Sequence, residues 1–182
     1  PWIDHAYTAE DEMKFPRMTV EQTVEKIVDL LDEAADTLPW EVDADNDGHL
    51  TKAAAIALKS RVLLFAASPL FNADEPYLQG DASAQLITWY GNYSADRWQK
   101  ALDAGLQFMR ENNGRYKLVN TGNPREDFAA GYFNRHNGEV LISSRRFTTY
   151  MTGKTPFAQI RYGVASPTLN YIDMFQMNDG TE

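Results

Sequence analysis

The chain has 182 residues, of which 43% are hydrophobic and 24% charged, with a net charge of −9 and no cysteine. That length supports one good hydrophobic core. The missing cysteines exclude disulfides, thiolate zinc sites and a cysteine nucleophile, and no run approaches the ~18 apolar residues of a membrane-spanning helix. The acidity is uneven, because residues 1–60 hold 14 acidic and 5 basic side chains while residues 61–182 hold 12 of each. No basic stripe is present to displace counterions from phosphates, so nucleic acid is set aside as a partner.

The first helix is predicted over residues 19–38, where Val20, Val24, Ile27, Leu31, Ala34, Ala35 and Leu38 recur at helical spacing. Thr19 and Gln22 stand in the relation of a capping box, and Pro39 marks the exit. The opposite face carries Glu21, Glu25, Asp29, Asp32, Glu33 and Asp36 and reads as a solvated surface. A turn follows, in which Asp43, Asp45, Asp47, Gly48 and Leu50 match positions 1, 3, 5, 6 and 8 of a calcium-binding loop. Position 12, which requires a bidentate Glu, is Ala54. The favoured reading is an acidic turn bent at Gly48 with Thr51 capping the next helix, and calcium is the minority alternative.

The second helix is expected over residues 51–68, ahead of Pro69. It is apolar nearly all round, so it is expected to lie between other helices, with Leu63 in the core. After an aromatic-rich loop at 69–94, Ser94 caps a third helix that ends at Asn112-Asn113-Gly114, a left-handed stop. Trp98, Ala101, Leu102, Gly105, Phe108 and Met109 form its predicted buried stripe, and Trp98, Ala101, Leu102 and Gly105 echo the first helix of a tetratricopeptide repeat. Residues 116–119 and 139–147 read as short strands, the glycine-, asparagine- and aromatic-rich stretches beside them as long loops, and residues 168–177 as a short helix. The expected architecture is mainly α, with tetratricopeptide-like helix pairs over residues 1–115, then a loop-rich part with a few short strands over residues 116–182.

Chemistry-bearing motifs are sparse. His5, His49 and His136 lack metal-ligand spacing. Gly153-Lys154-Thr155 has Thr148 where a phosphate-binding loop needs glycine, and no carboxylate sits in a recognisable catalytic setting. The residues suited to binding are loop aromatics, whose faces stack on the C–H faces of sugars: Phe71, Tyr77, Trp89, Tyr90, Tyr93, Tyr132, Phe133, Tyr150, Phe157 and Tyr162. Asn72, Asn92, Arg145, Arg146 and Gln159 supply hydrogen-bonding groups beside them.

Several segments in order resemble the SusD/RagB family of glycan-binding cell-surface lipoproteins of Bacteroidetes. They are Pro16-Arg17-Met18-Thr19 with the helix ending in Leu38-Pro39, residues 50–72 ending Ser68-Pro69-Leu70-Phe71-Asn72, residues 97–104, residues 138–142 and residues 166–180. The resemblance implies that the chain is an internal piece of a larger α-helical, lipid-anchored outer-membrane protein. It further implies a function that is not enzymatic, namely capture of an oligosaccharide or polysaccharide for a SusC-like TonB-dependent transporter, with no cofactor. By region it points to Phe147, Tyr150, Phe157 and Tyr162, with Arg145 and Arg146, as ligand positions, then to Trp89, Tyr90, Tyr93 and Asn72. The alternatives are a helical protein-interaction module and, further off, a glycoside-processing enzyme.

Overall fold

The computed structural model describes residues 2–3, 6–8, 15–143 and 166–175. Contacts divide the chain into two compact units, Pro1–Ser143 and Ser144–Glu182.

In the first unit, helix α1 spans Val20–Thr37 and opens on the predicted capping box. Gln22 N donates to Thr19 Oγ1 at 3.2 Å and Thr19 N to Gln22 Oε1 at 3.1 Å, so two of the free N–H groups at the helix start are satisfied reciprocally. Helix α2 spans Lys52–Ala66, capped by Thr51, whose hydroxyl accepts from Ala54 N at 3.2 Å. A one-turn helix α3, Asp81–Ala84, interrupts the loop. Helix α4, Ala95–Glu111, starts from Ser94 and ends ahead of Asn113 and Gly114, both at positive φ.

Among the described residues α2 packs against both α1 and α4, and these two do not pack against each other. The pairs that meet run in opposite directions: Asp32 reaches Lys59, Lys52 reaches Glu111, and a side chain at Gly105 would meet Ser60 Oγ at 3.4 Å. The three helices therefore form an up-down-up layer with α2 in the middle, a mainly α arrangement of helix pairs.

Small side chains make the layer close. Among the described residues, the buried hydrophobic ones are Val20, Ile56 and eight alanines, including Ala53, Ala54 and Ala55 on α2 and Ala101 and Ala104 on α4. Ala35, Ala55 and Ile56 form the central cluster, with Leu31, Ala34, Trp40 and Phe108 packed around it.

Three expectations need correction. Helix α2 is not enclosed on all sides: Leu63 is half-buried, and Leu58, Leu64 and Phe65 are exposed, because α1 and α4 cover only two of its faces. The predicted α4 stripe holds only in part: Ala101 is buried, Phe108 packs on the central cluster and Gly105 faces Ser60, but Trp98, Leu102 and Met109 are exposed and Ala104 joins the seam. No strand occurs at 116–119 or 139–143, nor elsewhere among the described residues; one backbone bond, Lys117 N to Gly138 O at 2.9 Å, joins the two segments. Residues 144–147 of the second expected strand lie outside the described residues.

Between those segments the chain forms helix α5, Pro124–Phe133, which was expected to be loop. Its signals are local: Asn123 caps it, Pro124 stands at its first position, and Glu126 and Asp127 fill its first turn. In the second unit, helix α6 spans Leu169–Ile172, with the Thr168 hydroxyl accepting from Tyr171 N at 3.3 Å.

Candidate functional site

The loop between α2 and α4 is anchored by one side chain. Asn72 is 2% exposed. Its amide donates to Ala67 O at 3.3 Å and Ser94 O at 3.0 Å, while its Oδ1 accepts from Ser94 N and from Arg97 Nη1, both at 2.8 Å. Asn72 thus ties the end of α2 to the start of α4, with its side-chain amide engaged inside the protein. Asn92 joins the same knot, accepting from Arg97 Nη1 through its backbone O at 2.8 Å and its Oδ1 at 3.0 Å.

Arg97 also lies over the Tyr90 ring, with Cζ 3.9 Å from its centroid. Burial pushes the Tyr90 hydroxyl above its ordinary pKa; Arg97 opposes that rise, and Glu21 and Glu25 add to it. The half-buried Trp89 donates its indole N–H to Ser83 O at 2.9 Å, so its polar end is occupied. Tyr93 keeps 52% of its surface and Tyr77 82%, the larger exposed rings of this loop.

Tyr90 and Arg97 border a groove of about 610 Å³ between α1 and α4, floored by α2. Glu21, Glu25 and Asp29 of α1 line it opposite Lys100, Asp103, Arg110 and Glu111 of α4, with Lys59 on the floor. Lys59 Nζ is 2.6 Å from Asp32 Oδ1, an ion pair that joins α2 to α1. The groove was not anticipated from sequence. Its signal was present as the acidic row on α1 and Arg97 and Lys100 on α4, but an acidic helix face reads as solvated until a second charged helix stands across from it.

Arg145, Arg146, Phe147, Tyr150, Phe157 and Tyr162 lie outside the described residues. In the acidic turn, Asp43 Oδ1 accepts from Asn46 N at 2.9 Å and Asn46 Nδ2 at 2.8 Å. Those two bonds hold its carboxyl below the usual carboxylate range. Asp45 is exposed, Asp47 is half-buried, Gly48 makes the bend at φ 102°, and Ala54 is buried inside α2. Among the described residues, no group of three His, Asp or Glu side chains is arranged to hold a metal ion.

Residues 2–64 match the model of a SusD-like family described as starch-binding and associating with the outer membrane. The solved structure of BT4246 is similar over 64% of this chain, with 28% identity and a TM-score of 0.53. The chain spans 21% of the length of BT4246. A selenomethionine form of BT4246 aligns with 30% identity over 56% of this chain and 18% of that one, at a TM-score of 0.45. No curated protein matches the sequence. The family match covers α1 and most of α2, the two helices that begin the layer, and the likeness to BT4246 extends over 64% of the chain, so the chain is similar to SusD-like proteins in the sequence of its first helices and in its fold.

Proposed function

We propose that this protein binds oligosaccharide or polysaccharide at the bacterial cell surface, without cleaving it, and passes it to a SusC-like TonB-dependent transporter. The observation that carries this reading is the match of residues 2–64 to a family described as starch-binding and associating with the outer membrane. The helical layer acts as scaffold, and the parent protein is held to the outer membrane by a lipid anchor. Sugar stacks on loop aromatics, first Phe147, Tyr150, Phe157 and Tyr162 with Arg145 and Arg146 donating to hydroxyls, then the loop before α4. In that loop Tyr93 is the favoured ring, since Arg97 takes one face of Tyr90 and Trp89 is half-buried.

The test is affinity electrophoresis of the full-length parent in polysaccharide gels. Tyr150→Ala should weaken retardation by the equivalent of about 1–3 kcal/mol, as truncating a central interface aromatic does. Tyr93→Ala should weaken it less. Unchanged migration of both variants would place the site elsewhere, and reducing sugar released by pure protein would defeat the binding-only reading. Calcium remains the weaker alternative, because Asp43 is already engaged by Asn46 and Ala54 offers no carboxylate. Isothermal titration should show no tight binding; sub-micromolar affinity abolished by Asp45→Ala would reverse that.

A further inference from the structure

Asparagine followed by glycine occurs twice among the described residues, at Asn113-Gly114 and Asn137-Gly138, and the structure holds the two pairs in opposite ways. Such a pair carries its own reaction. The glycine N–H, once its proton is lost to base, attacks the carbonyl carbon of the asparagine side chain, because glycine has no Cβ to block the approach. The new C–N bond closes a five-membered succinimide, the bond to the side-chain nitrogen breaks, and that nitrogen takes up a proton and leaves as ammonia. Water then opens the ring at either carbonyl, giving aspartate or isoaspartate. Nothing is oxidised or reduced, and water is the only co-reactant.

The pair at Asn137 is held against this closure. Asn137 is half-buried, and its Nδ2 donates to Ala130 O and Gly131 O, both at 3.3 Å, and to Asn134 O at 2.7 Å. Its Oδ1 accepts from Glu139 N at 3.0 Å and Val140 N at 3.2 Å. Gly138 is fixed as well, since its carbonyl accepts from Lys117 N at 2.9 Å and an added Cβ would stand 3.7 Å from Arg115 O. Asn112, beside the other pair, is likewise engaged: its Nδ2 donates to Tyr116 O at 2.7 Å and its Oδ1 accepts from Tyr116 N at 2.8 Å. Asn113-Gly114 stands in the open. Both residues are exposed just past the end of α4, at φ 49° and 75°, and nothing lies within 4 Å of where a Cβ on Gly114 would stand.

We infer that Asn113 is a site of spontaneous deamidation, and that the left-handed stop of α4 is where the folded chain is chemically modified first. The same feature that ends the helix exposes it: a left-handed stop favours asparagine and glycine, and it projects them away from the packed layer. The carboxylate that forms stands at the carbonyl end of the α4 dipole, where negative charge is unfavourable, in a chain whose net charge is already −9. The isoaspartyl product adds a methylene to the main chain between Asn112 and Tyr116, whose two mutual hydrogen bonds span the turn. Tyr116 in turn donates its hydroxyl to Trp40 O at 3.2 Å, so the change is made next to a tie between the end of α4 and the exit of α1. The inference is independent of glycan binding.

Incubation of the purified protein in mildly alkaline buffer, followed by brief trypsin digestion and mass spectrometry, tests it. Cleavage after Arg110, Arg115, Arg135 and Arg145 releases residues 111–115 and 136–145 as separate peptides, one for each pair. Protein held in denaturant is the reference, and there the two pairs should react at similar rates. In the folded protein the 111–115 peptide should gain the mass of an amide-to-acid change about tenfold faster than the 136–145 peptide, as a group reached only through local opening is slowed. Fragmentation should place the change at Asn113, in both aspartyl and isoaspartyl forms, and the rate should rise with pH because the Gly114 nitrogen must first lose its proton. Equal rates for the two peptides in the folded protein, or a change placed at Asn112, would overturn the proposal. Asn113→Gln should remove the change from the 111–115 peptide, and its persistence there would overturn the assignment as well.

Discussion

Near the start of α2, Ala53, Ala54, Ala55 and Ile56 are buried, whereas further along it Leu58, Leu64 and Phe65 keep 38%, 54% and 62% of their surface. The larger and more hydrophobic side chains are the exposed ones. The difference lies in what stands opposite. Near the start of α2 the ends of α1 and α4 converge, with Ala35 on one side and Phe108 on the other, and alanines let the backbones come close. Towards its end the two flanking helices leave room for a charged groove on one face and an apolar groove on the other. Burial along this helix therefore follows the neighbours, and hydrophobicity alone orders it wrongly.

The largest effect expected from this contrast is at Ile56, which is 1% exposed. Ile56→Asp puts an unpaired charge into the seam and should cost more than ~4 kcal/mol, unfolding the chain. Phe65→Asp in the same 182-residue chain should cost less than ~1 kcal/mol, because its side chain stays in water. Denaturant titration compares them, and equal losses would break the contrast. At the open end of α2, Asn72→Ala removes four hydrogen bonds and strands Ser94 N, so a loss of about 2–3 kcal/mol is expected. A loss no larger than that of an exposed Asn→Ala change would show that the loop closes α2 onto α4 by other means.

Smaller changes refine the picture of the seam. At Gly105 an added Cβ would lie 3.4 Å from Ser60 Oγ, an ordinary contact, so Gly105→Ala should raise stability by about 0.5–1 kcal/mol through helix propensity. A fall would mean that the seam is tighter than this spacing.

The smallest effect is a pH dependence at Tyr90, whose pKa is raised chiefly by burial. A tyrosine that ionises later when folded than when unfolded contributes stability that is fully present below its unfolded pKa, near 10. That contribution is lost as pH rises through the folded value. Tyr90→Phe should therefore flatten the decline of stability above pH 10 and remove the late-titrating tyrosine from the absorbance titration. If the late tyrosine persists, a different ring is the buried one.

The ends of the helices and the likeness to SusD-like proteins were legible in the sequence. Thr19 with Gln22, Thr51, Ser94 and the Asn113-Gly114 stop all act within a few residues of themselves, so the local chain suffices to place them. Helix α5 shows that the same logic was available at Asn123-Pro124 and was outweighed by the surrounding glycine and asparagine. Only the tertiary structure decided which apolar faces are covered, that Asn72 is a buried tie, and that the acidic row of α1 looks across a groove at Lys100 and Arg110. Each of those outcomes depends on a partner far away in sequence, 22 positions in the case of Asn72 and Ser94. A side chain's spacing along its own helix fixes the direction in which it projects from that helix, while what it meets there is fixed by how the helices pack.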